Sequence, residues 1–311
     1  MKSDIKKVLI VCSINRGRVS PFIIEQAESL LNCGVETGYF YIKGKGIKGY
    51  LKNLKSLRAK IQEFSPDLIH AHYGFSGLLS CLQRIVPVIV TFHGSDIHGG
   101  YKNLILSRIT MFLSLNYIFV SNDLKKLANS KKGIVIPCGI DTHLFKPMNK
   151  KICRERLNLS HEKKYILFSS NFENEIKNYP LAKESITKLN NPTIELIELK
   201  NYSRQEVSLL MNAADVCLLT SFNEGSPQFI KESMACNRPI VSTDVGDVSN
   251  LFVNVENVFI TNYTSEVTVD KLKIALEAEY SSGRNQIESL GLDLKSISLK
   301  LVSFYMENLD L

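Results

Sequence analysis

The sequence predicts an α/β fold built from two doubly wound domains in series. Short, apolar, β-branched runs alternate with segments of helical period along most of the chain. This alternation is typical of β-α-β units and parallel sheets. The length of 311 residues suits two domains of about 150 residues, each large enough to bury its own core. Hydrophobic residues make up 44% and charged residues 22%, as in globular proteins.

The first predicted domain covers residues 1–148. Its strands are expected in KKVLIVC, VETGYFYI, DLIHAH, VPVIVTF, NYIFVS and GIVIPC. Its helices are expected at Pro21–Asn32, Ile47–Phe64, Gly77–Arg84, Lys102–Ser114 and Asp123–Asn129. The segment CGIDTHLFKPMNK has little periodicity and contains Gly139 and Pro147, so it is predicted to be a linker.

The second predicted domain covers residues 149–292. Its strands are expected near Tyr165–Ser169, Ile194–Leu199, Val216–Thr220, Pro239–Ser242 and Val258–Thr261. Residues 293–311 have helical spacing and are predicted to form a C-terminal helix that packs back on the first domain.

Targeting signals are not evident in the sequence. The N-terminal segment lacks the apolar core and cleavage site of a secretory signal. The most apolar window, Leu104–Val120, carries Arg108 and is too short to span a bilayer. The seven cysteines are odd in number and never spaced as Cys-x-x-Cys, as expected for reduced thiols. We therefore expect a cytoplasmic protein, with the inner face of the cell membrane as an alternative location.

Charge is distributed unevenly. Residues 1–148 have a net charge of +11, whereas residues 149–311 have a net charge of −4. The first half should therefore face an anionic partner, such as a membrane surface, a lipid-phosphate acceptor or nucleic acid. Nucleic acid is disfavoured because aromatic residues do not interleave with the basic run. The sequence carries no signal for an oligomeric state.

The segment IKGYLKNLKSLRAKIQEF combines an apolar helical stripe with five basic residues, and no acidic residue occurs from Thr37 to Gln62. One interpretation is a basic amphipathic helix resting on anionic lipid. The other is a helix that packs its apolar stripe on the sheet and leaves its basic face in solvent.

The most informative segment is DVCLLTSFNEGSPQFIKESMACNRPIVSTDVGD. A predicted strand runs into Glu224 and Gly225, then Ser226 suits a helix N-cap and Pro227 suits the first helical position. The free N–H groups of such a helix end attract a phosphate or a sugar oxygen. Glu232, eight positions after Glu224, suits hydrogen bonding to the two hydroxyls of a ribose.

EGSPQFIKE is a Glu-x7-Glu pattern, and with SMACNRPIVSTDVGD after it the segment resembles the retaining glycosyltransferases of family 4. The resemblance covers nearly the whole chain through NRGRVSPFIIEQAESL, DLIHAHYGFSG, VTFHGSDI, GIVIPCGIDTHLFKP and FSSNFENEIKNYPLA. It implies the GT-B fold, in which two Rossmann-like domains face each other across a cleft. The implied activity is transfer of a hexose-type sugar from a nucleotide diphosphate sugar to a glycan or lipid-linked acceptor, with retention, in bacterial surface polysaccharide biosynthesis.

The resemblance also implies roles for individual residues. Glu224 would sit beside the transferred sugar, His93 would line the sugar pocket and Lys177 would neutralise the departing diphosphate. The remaining residues expected to bind the donor are Glu232, Gly225, Ser226, Pro227, Gly17 and Asn171. The acceptor-side residues, from the first domain, are Arg16, Arg18, His72 and Asp96.

One departure from the family pattern concerns charge. The family has an arginine five or six positions before the lysine, whereas this chain has Asn171 or an uncharged neighbour there. In one interpretation Arg16 and Arg18 supply the missing cation, and in the other the diphosphate is held less tightly. Asp96 faces the acceptor in one interpretation and caps a turn in the other.

Metal-independent catalysis is expected because the chain contains no Asp-x-Asp triplet of the kind that holds a donor through a metal ion. The nucleotide sugar is then a co-substrate, and no cofactor is needed. His70 and His72 share one side of a predicted strand, so a zinc site with His93 is an alternative, although no carboxylate completes it. Two other functions share the fold: a sugar-nucleotide epimerase or phosphorylase, and a non-catalytic nucleotide-sugar binder, which the missing arginine favours.

Overall fold

The computed structural model describes residues 5–15, 17 and 19–309. The chain divides into two compact units: unit 1 comprises Met1–Gly139 and Leu294–Leu311, and unit 2 comprises Ile140–Asp293. The division follows Gly139 and not residue 148, because the segment after Gly139 binds to unit 2. Arg284 donates hydrogen bonds to the carbonyl oxygens of Thr142 (3.2 Å) and Phe145 (3.1 Å). The segment predicted to be a linker is therefore folded against unit 2 over most of its length.

In the described part of unit 1, six parallel strands form one sheet in the order β2-β1-β3-β4-β5-β6. The strands are β1 (Lys7–Ser13), β2 (Glu36–Ile42), β3 (Leu68–His72), β4 (Val88–Phe92), β5 (Asn116–Phe119) and β6 (Ile134–Val135). The central strands β3 and β4 are buried along their whole length, as expected for a sheet covered on both faces. Five of the six lie within predicted segments, and β1 extends one residue beyond its segment, to Ser13. The predicted α/β character is confirmed.

The helices of unit 1 connect these strands. They are α1 (Pro21–Leu31), α2 (Gly46–Leu51), α3 (Leu54–Phe64), α4 (Gly74–Cys81), α5 (Ser95–His98), α6 (Tyr101–Leu113) and α7 (Asn122–Leu127). The single helix predicted at Ile47–Phe64 is wrong: it is interrupted at Asn53, whose side-chain amide donates to the carbonyl oxygens of Lys43 (2.9 Å) and Gly49 (2.8 Å). Such side-chain bonds to backbone compete with helix continuation.

In the described part of unit 2, five parallel strands form a sheet in the order β11-β10-β9-β7-β8. The strands are β7 (Lys164–Phe168), β8 (Ile194–Ile197), β9 (Val216–Leu219), β10 (Ile240–Thr243) and β11 (Val258–Thr261). The helices are α8 (Lys150–Arg156), α9 (Tyr179–Leu189), α10 (Arg204–Ala213), α11 (Gln228–Ala235), α12 (Val248–Leu251), α13 (Ser265–Glu277) and α14 (Gly283–Ser289), with a 3₁₀ turn at Glu175–Lys177.

The last helix, α15 (Leu294–Asn308), belongs to unit 1 and packs on α1. Tyr305 of this helix is fully buried, and its hydroxyl forms a 2.6 Å hydrogen bond with Nδ1 of His70 on β3. The end of the chain is thus tied to the centre of the first sheet. Among the described residues, no helix combines the length and hydropathy needed to cross a membrane.

Candidate functional site

Three loops of unit 2 meet at the carboxyl edge of its sheet, because β7, β9 and β10 are neighbours there. The buried hydroxyl of Thr220, after β9, donates to the carbonyl oxygens of Lys177 (2.8 Å) and Asn178 (3.0 Å), after β7. The hydroxyl of Thr243, at the end of β10, donates to the carbonyl oxygen of Ser221 (2.8 Å). Buried hydroxyl groups therefore hold the loops in register at the edge where ligands of doubly wound sheets bind.

Glu224 and Lys177 form an ion pair in these loops. Lys177 Nζ lies 2.5 Å from Glu224 Oε1, which also accepts a 2.7 Å hydrogen bond from Ser221 Oγ. Both side chains are mostly buried. Two donors on one carboxylate oxygen fix the orientation of Glu224. No hydrogen bond to its second oxygen, Oε2, occurs among the described residues, so this oxygen is available to a ligand.

The start of α11 differs by one position from the prediction. The helix begins at Gln228, with Pro227 as its N-cap. Ser226 is not the N-cap, because its hydroxyl donates to Asp247 Oδ2 (2.7 Å) instead of accepting a helix N–H. This bond joins the loop before α11 to the loop after β10. The predicted anion-attracting helix end is present at the same edge of the sheet.

Gly225 is approached closely by Gly246 of the next loop. Gly246 has a φ of 62°, and a Cβ placed on it would lie 2.8 Å from the carbonyl oxygen of Gly225. Both the positive φ and the short distance require glycine at position 246. The contact lets the two loops pack without intervening side chains.

Glu232, on α11, forms a second ion pair. Its side chain is only 6% exposed, and Oε1 lies 2.6 Å from Nη2 of Arg204 at the start of α10. The guanidinium carbon of Arg204 lies 4.6 Å from the centre of the Phe145 ring. A buried carboxylate needs such a partner. The planar guanidinium also stacks well on an aromatic face.

Arg204 was not predicted from the sequence. It is 28 positions away from Glu232, so no local motif joins the two residues. A signal for its position exists, however, because Ser203 and Glu206 form a capping box that begins α10 after β8. A cation at the first position of that helix must lie at the carboxyl edge of the sheet.

Asn171, which with its uncharged neighbours covers the family's arginine position, lies in the loop after β7. Its Oδ1 is buried and has no hydrogen-bond partner among the described residues. Arg16 and Arg18, the predicted sources of a replacement charge, lie outside the described residues. Arg204 of unit 2, by contrast, lies within the described residues and contacts Glu232, a carboxylate predicted to bind the donor.

In unit 1, the ends of β3 and β4 bring two predicted histidines together. His72 is fully buried, and its Nδ1 lies 2.9 Å from Nε2 of the half-buried His93. Nε2 of His72 is buried and has no partner within the described part of the chain. This favours the tautomer in which His72 donates to His93, since a buried, unpaired N–H is costly. His72 therefore orients His93 instead of presenting its own ring at the surface.

His70, the third histidine of the zinc alternative, is engaged elsewhere. Its Nε2 lies 2.7 Å from Thr91 Oγ1, and its Nδ1 is bonded to the Tyr305 hydroxyl. Within the described ranges, no group of three or more His, Cys, Asp or Glu side chains is arranged to hold a metal ion.

Asp96 organises the loop after β4. Its carboxylate is buried and accepts hydrogen bonds from the backbone N–H groups of His93, Gly94 and Gly74, at 2.9–3.3 Å. Burial raises the pKa of Asp96 to about 6, although the backbone donors oppose this rise. The carboxylate thus ties the end of β4 to the start of α4.

Tyr73, directly after β3, has φ 71° and ψ 148°, a conformation that is essentially restricted to glycine. Its ring centre lies 4.6 Å from that of His93. Strained non-glycine residues cluster at functional sites, where the surrounding packing maintains them. The strained backbone of Tyr73 therefore indicates that the end of β3 belongs to a functional site.

A pocket of about 210 Å³ opens at this edge of unit 1. It combines aromatic rings, hydroxyl groups and amides, and its lining residues are Ser13, Asn15, Ser20, Tyr50, Tyr73, Gly74, Phe75, Ser76, Ser95, Asp96 and Asn103. The Ser76 hydroxyl is buried and has no hydrogen-bond partner among the described residues. Gly17 lies in the loop between the lining residues Asn15 and Ser20 and has a φ of 86°, which favours glycine.

The fold places the protein in a known class. A sucrose-phosphate synthase from Thermosynechococcus elongatus superposes with a TM-score of 0.81 at 14% identity, covering 97% of this chain and 98% of that one. HepE from Anabaena, solved with UDP and glucose, superposes with a TM-score of 0.77 at 17% identity, covering 97% and 99%. Together with the two parallel-sheet Rossmann-like units, these matches confirm the predicted GT-B glycosyltransferase fold.

Sequence comparison defines the family. A family model described as Glycosyltransferase Family 4 matches residues 15–144, and one described as Glycosyl transferases group 1 matches residues 178–277. The chain therefore belongs to the family 4, group 1 glycosyltransferases, as its motifs predicted.

Two curated relatives match along about 70% of the chain. The first, TuaC of Bacillus subtilis, carries a provisional name as a teichuronic acid biosynthesis glycosyltransferase. Identity is 26% over an alignment of 275 residues, and the match covers 73% of this chain and 70% of TuaC. The second is an uncharacterized glycosyltransferase of Methanocaldococcus jannaschii, 24% identical, with coverage of 69% and 66%.

The buried histidines lead to a prediction about pH. Burial lowers the pKa of His70 to about 3, and burial together with the neighbouring His70 and His93 lowers the pKa of His72 well below 6.5. Below pH 6.5 the unfolded chain binds protons at these histidines that the folded chain does not bind. The free energy of unfolding should therefore fall between pH 7 and pH 5, by about 2 kcal/mol for His70 and in the same direction for His72.

Asp96 acts in the opposite direction. Its raised pKa lets the folded chain bind a proton near pH 6, before the unfolded chain does, so its contribution to stability is lost as pH rises through that value. The loss of stability caused by the two histidines on acidification is larger than the gain caused by Asp96. Urea denaturation at pH 7 and pH 5 measures the difference, and a His72→Asn variant should lose less stability on acidification. Equal pH dependence in the variant and the parent would contradict the assignment.

Proposed function

We propose that this protein transfers a hexose from a nucleotide diphosphate sugar to a glycan or lipid-linked acceptor, with retention of the anomeric configuration and without a metal ion. The observation that carries the proposal is the ion pair between Lys177, in the loop after β7, and Glu224, in the loop before α11. It combines an oriented carboxylate, a cation and a helix end at one edge of the sheet of unit 2.

The donor binds along this edge in the proposal. Glu232 accepts hydrogen bonds from the ribose hydroxyls, and Arg204 orients its carboxylate. The N–H groups at the start of α11 and the Lys177 ammonium face the diphosphate. Oε2 of Glu224 accepts a hydroxyl of the transferred sugar. HepE, which shares the fold, has been crystallised with UDP-glucose, and this supports a nucleotide sugar as the donor.

The reaction breaks the bond between the anomeric carbon and the diphosphate oxygen. Negative charge develops on the diphosphate as this bond breaks, and Lys177 and the helix end stabilise that charge without rearranging. An acceptor hydroxyl bonds to the anomeric carbon from the side that the diphosphate leaves, and its proton passes to the departing phosphate oxygen. A cation and backbone dipoles then supply the stabilisation that a metal ion provides in other glycosyltransferases.

The acceptor binds in the pocket of unit 1. Tyr50 and Phe75, whose ring centres are 5.5 Å apart, offer apolar faces to the C–H groups of a sugar ring. Ser76, Ser95 and Asn103 offer hydrogen bonds to its hydroxyls. This combination of groups fits a carbohydrate acceptor. The name of TuaC supports a role in bacterial surface polysaccharide synthesis.

We place the reaction in the cytoplasm, at the inner face of the cell membrane. All seven cysteines are free thiols, as expected in a reducing compartment. The basic segment α2–α3 supports peripheral contact with anionic lipid. Leu57 and Ile61 of α3 are buried on the sheet, whereas Ile47 and Leu51 of α2 are exposed beside lysines.

Replacing Glu224 tests the proposed chemistry. We expect Glu224→Ala to lower turnover by on the order of 100-fold, because it removes a group that acts near the transition state. Release of nucleoside diphosphate from a panel of donors measures the rate, and NMR of the anomeric proton in the product measures retention.

Glu195 provides the matched control, since it pairs with Lys163 on the surface of the same unit. Glu195→Ala should leave turnover unchanged. Full activity in Glu224→Ala would remove this residue from the site, and an inverted product would exclude the retaining mechanism.

Replacing Arg204 tests the donor site. We expect Glu232→Ala to weaken nucleotide binding by about 1.5–3 kcal/mol, the value of hydrogen bonds to a charged group. Arg204→Ala should weaken it by about tenfold, because Glu232 loses the partner that orients it. Arg204→Lys should recover part of the loss, since it keeps the charge but not the planar fork. Calorimetry with UDP, GDP and ADP measures the affinities, and tight binding by Arg204→Ala would refute this role.

Replacing Phe75 tests the acceptor pocket. Phe75→Leu removes the aromatic face but keeps apolar volume, so we expect the KM for an alkyl glycoside acceptor to rise about fivefold, as for the loss of one aromatic contact. Phe75→Tyr retains the ring and should preserve the KM. The KM for the donor should be unchanged in both variants. A changed donor KM with an unchanged acceptor KM would place the acceptor elsewhere.

A further inference from the structure

Helix α6 of unit 1 carries an exposed apolar stripe. Tyr101, Ile105, Ile109 and Phe112 recur at intervals of four, four and three residues, so they share one helix face. All four are exposed, and Phe112 (87%) and Tyr101 (77%) are the two most exposed of the large hydrophobic residues described. A contiguous exposed stripe of this kind marks an interaction surface.

The stripe lies in the same helix layer as the basic segment. Helices α3, α4 and α6 connect β2 to β3, β3 to β4 and β4 to β5, so all three cross the sheet in one direction. Right-handed crossovers in one direction place their helices on one face of the sheet. Helix α4 contacts both α6 and the α2–α3 segment. The apolar stripe and the basic segment therefore belong to one surface layer.

The charge of this layer is almost entirely positive. Helix α6 contributes Lys102 and Arg108, and no acidic residue occurs from Ile97 to Asn122 or from Thr37 to Gln62. The residues of unit 1 together have a net charge of +11, whereas those of unit 2 have a net charge of −4. An apolar stripe bordered by basic groups is complementary to a bilayer with anionic headgroups.

We propose that α6 inserts its apolar stripe into the interfacial region of an anionic membrane while the α2–α3 segment binds the headgroups. The inference rests on the proposed peripheral membrane contact and names the element that anchors it. A second copy of the chain fits this surface less well. Pairing of α6 with its own copy would bring together Lys102, Arg108 and two units of the same +11 charge.

The chain contains no tryptophan, so single substitutions report insertion directly. Phe112→Trp should show a blue-shifted emission on addition of phosphatidylglycerol/phosphatidylcholine vesicles, and brominated lipid should quench it. Tyr280→Trp is the matched control, since Tyr280 is 59% exposed in unit 2; its emission should not change.

Vesicle flotation measures the contribution of each part. The double variant Tyr101→Ser/Phe112→Ser should lower the vesicle–water partition coefficient by at least about tenfold. The reason is that the variant lacks the two aromatic side chains whose transfer from water into the membrane stabilises the bound state. The variant Lys48→Gln/Lys52→Gln/Lys55→Gln should lose the preference for anionic lipid. Melting temperature and nucleoside diphosphate release from the donor should be unchanged in both, which separates this surface from the proposed donor chemistry.

Three outcomes would overturn the inference. Unshifted Phe112→Trp emission with anionic vesicles, while the parent protein floats, would assign membrane contact to another surface. Absence of flotation of the parent protein would remove both the stripe and the basic segment as membrane contacts. Self-association in gel filtration that the Tyr101→Ser/Phe112→Ser variant abolishes would assign the stripe to a second copy of this chain.

Discussion

The loops of the proposed donor site in unit 2 depend on one buried hydroxyl group. Thr220, at the end of β9, donates to two successive carbonyl oxygens of the loop after β7. This contact fixes the backbone of Lys177 relative to the segment that contains Ser221 and Glu224. The ion pair between Lys177 and Glu224 follows from it, because each side chain then extends from an immobilised loop. Buried, fully bonded polar groups of this kind pre-organise a site.

Charges in this region are arranged as pairs. Lys177 is paired with Glu224, and Arg204 with Glu232. Pairing gives each carboxylate a cationic partner in a largely buried setting, where an unpaired charge would be costly. An ammonium group has three donors, so Lys177 can keep its bond to Glu224 and still bind a phosphate oxygen. In the proposed function, a charged donor therefore binds without first breaking the contacts that shape the site.

In unit 1, buried histidines orient the side chain of His93. His72 orients His93 from within the sheet, while His70 on the same strand is held by Thr91 and by Tyr305 of α15. Both nitrogens of His70 are thereby satisfied. The buried imidazoles are stable as neutral rings, because burial lowers the pKa of each. The C-terminal helix thus contributes to the packing beneath His93.

The sequence by itself determined the strand positions, the two-domain organisation, the family and the Glu224–Glu232 pattern. These features depend on short-range periodicity and on spacing within one segment, which a single sequence displays. Tertiary structure decided the partners of the two glutamates, which lie 47 and 28 positions away along the chain. It also decided that the chain divides after Gly139, and that His72 supports His93 from the interior. Such pairings depend on which strands become neighbours in a sheet, and strand order is set by the packing of the whole unit, not by local sequence.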